Sequence, residues 1–354
     1  MLALALGLAG GALGIQALPD GAWLLLVLAV DVAHVHATWF RTYLDGAELK
    51  RRPWRYALAP CLAYALGVWA YAHGALTFWR ALAYLAVFHF VRQQVGWVAL
   101  YRARAGAANG RWERVVDEAA VYAATLYPLL VWHTQPQKEF SWFVTGDFVA
   151  LSAGPWLSFA EAVWLAALGI FFGRELWRAV RQRRLALGKA LVVASTALTW
   201  HVGIVEAQSD FLFTATNVIP HGVPYAWLLF AYTRERAYEA PRWSAGHVAA
   251  AGFAAFTAVL VGFAFCEQWA WDRFVEHDRG WLFGEGPLLS PALLAWLVPL
   301  LALPQATHYL LDAVLWRRGE ARELPALGRA LGSARRTEVG FVADLARTGE
   351  EMVR

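Results

Sequence analysis

Runs of about twenty apolar residues recur from one end of this 354-residue chain to the other, separated by short loops that hold most of its charge. A helix of that length is about 30 Å long, the hydrocarbon thickness of a bilayer. Backbone groups inside a bilayer must be satisfied within the chain, which leaves helices or a closed barrel. The residue-by-residue alternation of a membrane barrel is absent. With 59% hydrophobic residues against 16% charged, the chain also lacks the charge that long soluble helices need. The sequence therefore predicts an all-α, polytopic integral membrane bundle.

The spacing predicts about ten transmembrane helices, at 2–18, 21–40, 56–75, 78–101, 118–134, 156–177, 187–206, 211–232, 247–267 and 291–316. Residues 1–316 form the transmembrane domain and 317–354 a charged tail. The run at 2–18 has no basic segment before it and is followed by Pro19-Asp20-Gly21, a turn rather than a small-residue cleavage site. It reads as a retained helix. Of the 31 Lys and Arg residues, 26 fall in 41–55, 102–116, 174–189, 233–245 and 317–354. These segments lie on one side of the predicted bundle. By the positive-inside rule that side is cytoplasmic, with both termini on it. The expected location is a bacterial inner membrane. This topology accounts for the basic pI, so nucleic acid is not an expected partner. Cys61 and Cys266 lie in separate apolar runs and suggest neither a disulfide framework nor a CxxC metal site.

Polar side chains at membrane depth are costly, and by default they mark function. The segment 199–225 places His201 near the end of one apolar run and His221 half-way into the next, with Glu206, Asp210 and Asn217 between. In span two, Asp31, His34 and Thr38 share one helical face, whereas His36 lies about 200° round from His34. Only a distorted or tightly flanked helix would bring both histidines to one site. Span four carries His89, Arg92, Gln93 and Gly96 as one stripe, with Asp31 or Asp312 as the expected partner of Arg92. Asn217, His221 and Tyr225 share a face in span eight, where Pro220 and Pro224 should open the helix. In span ten, Gln305, His308 and Asp312 do so, with Pro304 kinking the helix. Counted from the basic ends at ~1.5 Å per residue, these histidines lie roughly 10–20 Å into the membrane.

Neutral imidazoles grouped with carboxylates suit Fe, Zn or Cu, and the carboxylates favour non-haem iron. Bis-histidine haem is the competing use. The candidate metal residues are His34, His36, His89, His201, His221, His308, Asp31 and Asp312. Tyr225, Asn217, Arg92 and Glu206 are candidates for catalytic positioning. The sequence thus suggests a metal-dependent oxidoreductase acting on a lipid or other hydrophobic substrate, with an electron-donor protein as a further partner. A transporter or channel using buried His, Asp and Arg is the reading from another class.

The set is similar in kind to the histidine-rich membrane metalloenzymes: desaturases, hydroxylases and bacterial membrane β-carotene dioxygenases. Trp200-His201-x-Gly203 and Pro220-His221-Gly222 resemble WHxG and PHG elements of the carotene dioxygenases. Tyr225 stands near the place of the aspartate that follows PHG there, and the HxxxH and HxxHH boxes of desaturases are absent. His221-Gly222-x-Pro224-Tyr225 also resembles the histidine segment of membrane-bound O-acyltransferases. That likeness implies acyl transfer with His221 as base.

Overall fold

A computed structural model describes residues 1–104, 110–135, 138, 140–182, 186–239 and 245–315. The predicted tail, 317–354, lies outside the described residues. Among those described, every regular element is helical.

The main elements are α1 (Leu2–Ala12), α2 (Asp20–Arg41), α3 (Pro53–Ala72), α4 (Ala75–Arg104) and α5 (Arg111–Thr134). They are followed by α6 (Pro155–Gln182), α7 (Leu187–Glu206), α8 (Asp210–Glu239), α9 (Phe253–Glu276) and α10 (Pro291–Leu315). Six of these, α2, α5, α6, α7, α9 and α10, are long and apolar enough to cross a membrane. The expected span at 2–18 ends early. Its helix has eleven residues and stops where Gly14 takes a positive φ of 72°. At ~1.5 Å per residue it reaches only about half the depth of a bilayer. The expected span at 247–267 also shifts. A short turn at Gly246–Ala250 ends at Gly252, φ 116°, and the long helix starts at Phe253.

Local chemistry explains several boundaries. Pro53 and Pro291 open α3 and α10 at positions where a missing N–H is harmless. The Ser290 side chain accepts the Leu293 N–H at the start of α10. Ala302 interrupts α10, and Pro304 lies in the first turn after the break, as the kink expected there requires. Pro220 and Pro224 lie inside α8, which stays helical throughout. Part of α2 (Trp23–Val32) and the end of α7 (His201–Glu206) are wound as π-helix, which adds a residue to the turn and rotates everything after it.

Two of the buried polar ties between the described helices lie outside the group of central histidines. At the basic-loop ends of α4 to α7, Asp117 accepts from Lys189 at 3.0 Å and Arg102 at 3.2 Å, and also from Arg174. Lys189 also reaches Glu175 at 2.9 Å. Asp117 and Lys189 are both fully buried, so each needs the other to offset its desolvation. The second tie is Arg41, at the end of α2, which donates to the Leu315 carbonyl of α10 at 2.8 Å. Arg41 follows His34 by seven residues and Leu315 follows His308 by seven. The bond therefore fixes α2 against α10 two turns below both histidines.

Candidate metal centre

Helices α2, α4, α8 and α10 converge mid-bundle and each contributes one buried histidine: His34, His89, His221 and His308. One ring nitrogen from each lies within 4.8 Å of the others. All four side chains are at most 5% exposed. The rings meet edge to face, with centroid separations from 4.5 Å (His89 and His308) to 5.2 Å (His34 and His308). Such a grouping of donors could hold a metal ion.

Backbone packing sets the spacing. A Cβ built on Gly222, next to His221, would lie 2.8 Å from Val30 Cγ1 and 3.1 Å from the Val30 carbonyl oxygen. Glycine there lets α8 touch α2 one turn before His34. His221 is held flat against Phe90, 3.5 Å between centroids, and its carbonyl accepts from Gln93 Nε2 at 2.9 Å. Phe90 thus positions a candidate ligand, although an aromatic residue in an apolar run carries no sequence signal for such a role.

The hydrogen bonds leave nitrogens free toward the centre. His34 Nδ1 must donate to the Val30 carbonyl, 3.2 Å away, because a carbonyl only accepts. Its Nε2 is then a lone-pair donor, buried and without a hydrogen-bond partner. Both ring nitrogens of His221 are likewise buried and unpartnered. The Nε2 atoms of His308 and His89 face each other at 3.1 Å. Two nitrogens bound ~2.0–2.1 Å from one ion at the tetrahedral angle would lie about 3.4 Å apart, so 3.1 Å fits a shared ion after a shift of a few tenths of an ångström. The same separation also fits an N–H of one ring donating to the other.

Carboxyl groups stand one layer out. Asp312 lies 4.0 Å from His89 Nδ1 and 4.0 Å from His308 Nδ1, and accepts from the Tyr225 hydroxyl at 2.6 Å. Asp31 is 3.8 Å from His34 Nδ1. Such groups offset the charge of an ion held by neutral rings.

Other residues expected at the site lie elsewhere. His36 turns away from the four and meets Glu267 on α9 at 3.0 Å, between Trp39 and Phe263. The π-helical stretch does not bring both histidines of α2 to one point, and of the two alternatives only His34 joins the group. His201 stacks on Trp164 and lies 3.3 Å from Glu206, whose side chain is 66% exposed. Neither belongs to the group of four. Arg92 donates to the Tyr122 hydroxyl at 3.0 Å, which corrects its expected pairing with Asp31 or Asp312. Asn217 Nδ2 donates to the Phe213 carbonyl in its own helix. Gly203 lies over Thr216, where a Cβ would collide with the threonine side chain, so this glycine lets α7 and α8 pack closely. Glu267 and Thr38 are the polar neighbours absent from the expected set. Thr38 lay in view, four residues from His34 on the same face.

Comparison with protein-family models, curated proteins and solved structures finds no match for this chain.

Proposed function

We propose that the protein is an integral membrane metalloenzyme, an iron-dependent oxidoreductase, whose ion is held by His34, His89, His221 and His308. The observation that carries this reading is the meeting of four buried imidazoles from four helices, three of whose ring nitrogens have no hydrogen-bond partner. A purely structural histidine would spend both nitrogens on hydrogen bonds, because an unpartnered buried polar atom costs ~1–3 kcal/mol. The rings' tight edge-to-face contact leaves no slot for a macrocycle, which favours a bare ion over haem. All-nitrogen donors suit Fe(II), and bound iron would supply one-electron and oxygen chemistry.

The chain's own groups do the rest. Asp312 and Asp31 face the Nδ1 sides of three ligands and balance the charge of a divalent ion. Tyr225 offers an ordered hydroxyl beside His308, their ring centroids 5.2 Å apart. Phe90, Val30 and Tyr309 make the surroundings apolar and exclude water. A hydrophobic substrate, a lipid or a carotenoid-like molecule, would reach such a site from the bilayer. The charge distribution supports α2 to α10 as the membrane-crossing helices, with their basic loops on the cytoplasmic side of a bacterial inner membrane.

Metal analysis of protein purified without added salts, with its absorption spectrum, tests this reading. About one iron per chain without a haem band is the expected result. Replacing any of the four histidines by Ala should remove the metal, while His36→Ala and His201→Ala should retain it. Metal-free protein in which only His221 is needed for turnover would favour acyl transfer.

A further inference from the structure

Thr38 lies in α2 four residues after His34 and is 1% exposed. Its hydroxyl oxygen is 2.7 Å from His308 Nδ1 and 2.8 Å from the Tyr225 hydroxyl. Tyr225 in turn lies 2.6 Å from Asp312 Oδ1. The direction of this chain follows from counting hydrogens. The Tyr225 hydroxyl donates to Asp312 Oδ1, so its single hydrogen is spent there. Tyr225 must then accept from Thr38. The single hydrogen of Thr38 is spent there, so toward His308 it can only accept. His308 is therefore protonated on Nδ1, and its lone pair is on Nε2, the atom that faces His89 Nε2 at 3.1 Å.

We infer that Thr38 is the positioning residue that sets the tautomer of His308, and that through Tyr225 and Thr38 the carboxyl group of Asp312 prepares this ligand. The relay runs from Asp312 through Tyr225 and Thr38 to His308 Nδ1. Residues from α2, α8 and α10 complete the chain only when the helices are packed, so the donor atom of His308 is fixed before any ion arrives. This inference rests on the metal reading for its purpose but not for its geometry.

The test uses full-length protein labelled with 15N in histidine, freed of metal by a chelator, with the His308 signals assigned by their loss in His308→Ala. In the wild type His308 should show the Nδ1–H tautomer. Thr38→Val keeps the shape and removes the hydroxyl, so His308 should become a mixture of tautomers. Thr38→Ser should restore the single form. In Tyr225→Phe the Thr38 hydrogen is released toward His308, and the Nε2–H form should appear; this variant serves if Thr38→Val does not fold. With Fe(II) or Zn(II) as the probe, Thr38→Val should bind 10–100-fold more weakly, the range usual for lost outer partners of ligand imidazoles. The double variant should bind no more weakly than Thr38→Val alone, because one chain breaks only once. A wild-type His308 in the Nε2–H form, or an unchanged tautomer in Thr38→Val and Tyr225→Phe, overturns the inference. Independent, multiplying losses in the two variants also overturn it. Failure of the metal reading looks different: no ion binds the wild type, yet the tautomer still shifts in Thr38→Val.

Discussion

His89 and His308 face each other through Nε2 atoms 3.1 Å apart, although 219 residues separate them in the chain. They belong to α4 and α10, and their contact closes the ring of four imidazoles that His34 and His221 complete. No local motif requires this meeting. It depends on how closely four helices approach, and the first prediction addresses that.

Gly222→Ala places a methyl group 2.8 Å from Val30 Cγ1 and 3.1 Å from its carbonyl oxygen. Overpacking of this kind costs ~1–3 kcal/mol. It should also push His221 away from His34, so thermal stability and metal content fall together. Gly203→Ala is the comparison: it crowds Thr216 between α7 and α8 and should lower the melting temperature with metal per folded chain unchanged. Equal metal loss in both would mean that destabilisation alone releases the ion.

Arg92→Ala should have a small effect. Its bond to the Tyr122 hydroxyl is partly exposed and no carboxylate is left unpaired, so the loss should stay near ~1 kcal/mol, the usual size for one hydrogen bond. A loss of several kcal/mol in a denaturation series would instead point to a buried carboxylate partner.

Asp117 contrasts with it. Lys189, Arg102 and Arg174 converge on its carboxylate, and Lys189 is fully buried. Asp117→Ala should cost ~3–5 kcal/mol, because buried Arg102 loses this carboxylate and Lys189 and Arg174 are left to share Glu175. Adding Lys189→Met should recover part of that loss. No recovery in the double variant would show that the network does not act through this pair.

Accessibility tags check the topology. Labels after Arg318 and in 104–111 should report the cytoplasm, and labels in 137–147 the opposite side. Labels in 104–111 and 137–147 reporting the same side would mean that α5 does not cross the membrane.

The sequence by itself determined the all-helical class, because apolar runs of bilayer length leave a buried backbone little else to form. It also determined what each helix presents on one face: His34 with Thr38, and His308 with Asp312, follow from a spacing of four residues. Pro304 marked the break in α10, since proline cannot donate within a helix.

Only the tertiary structure decided which of these faces meet. Periodicity gives a side chain's angle about its own helix axis but not the neighbour found in that direction. His36 therefore lies against Glu267 rather than beside His34, and His201 stacks on Trp164 outside the group. Arg92 was expected to neutralise a carboxylate and instead meets Tyr122, whose helix packs on that side of α4. The four-histidine group depends on Gly222 admitting Val30 and on Arg41 holding Leu315, contacts between residues about 190 and 270 positions apart. Such contacts are set by shape complementarity between whole helices, and no single helix carries that information.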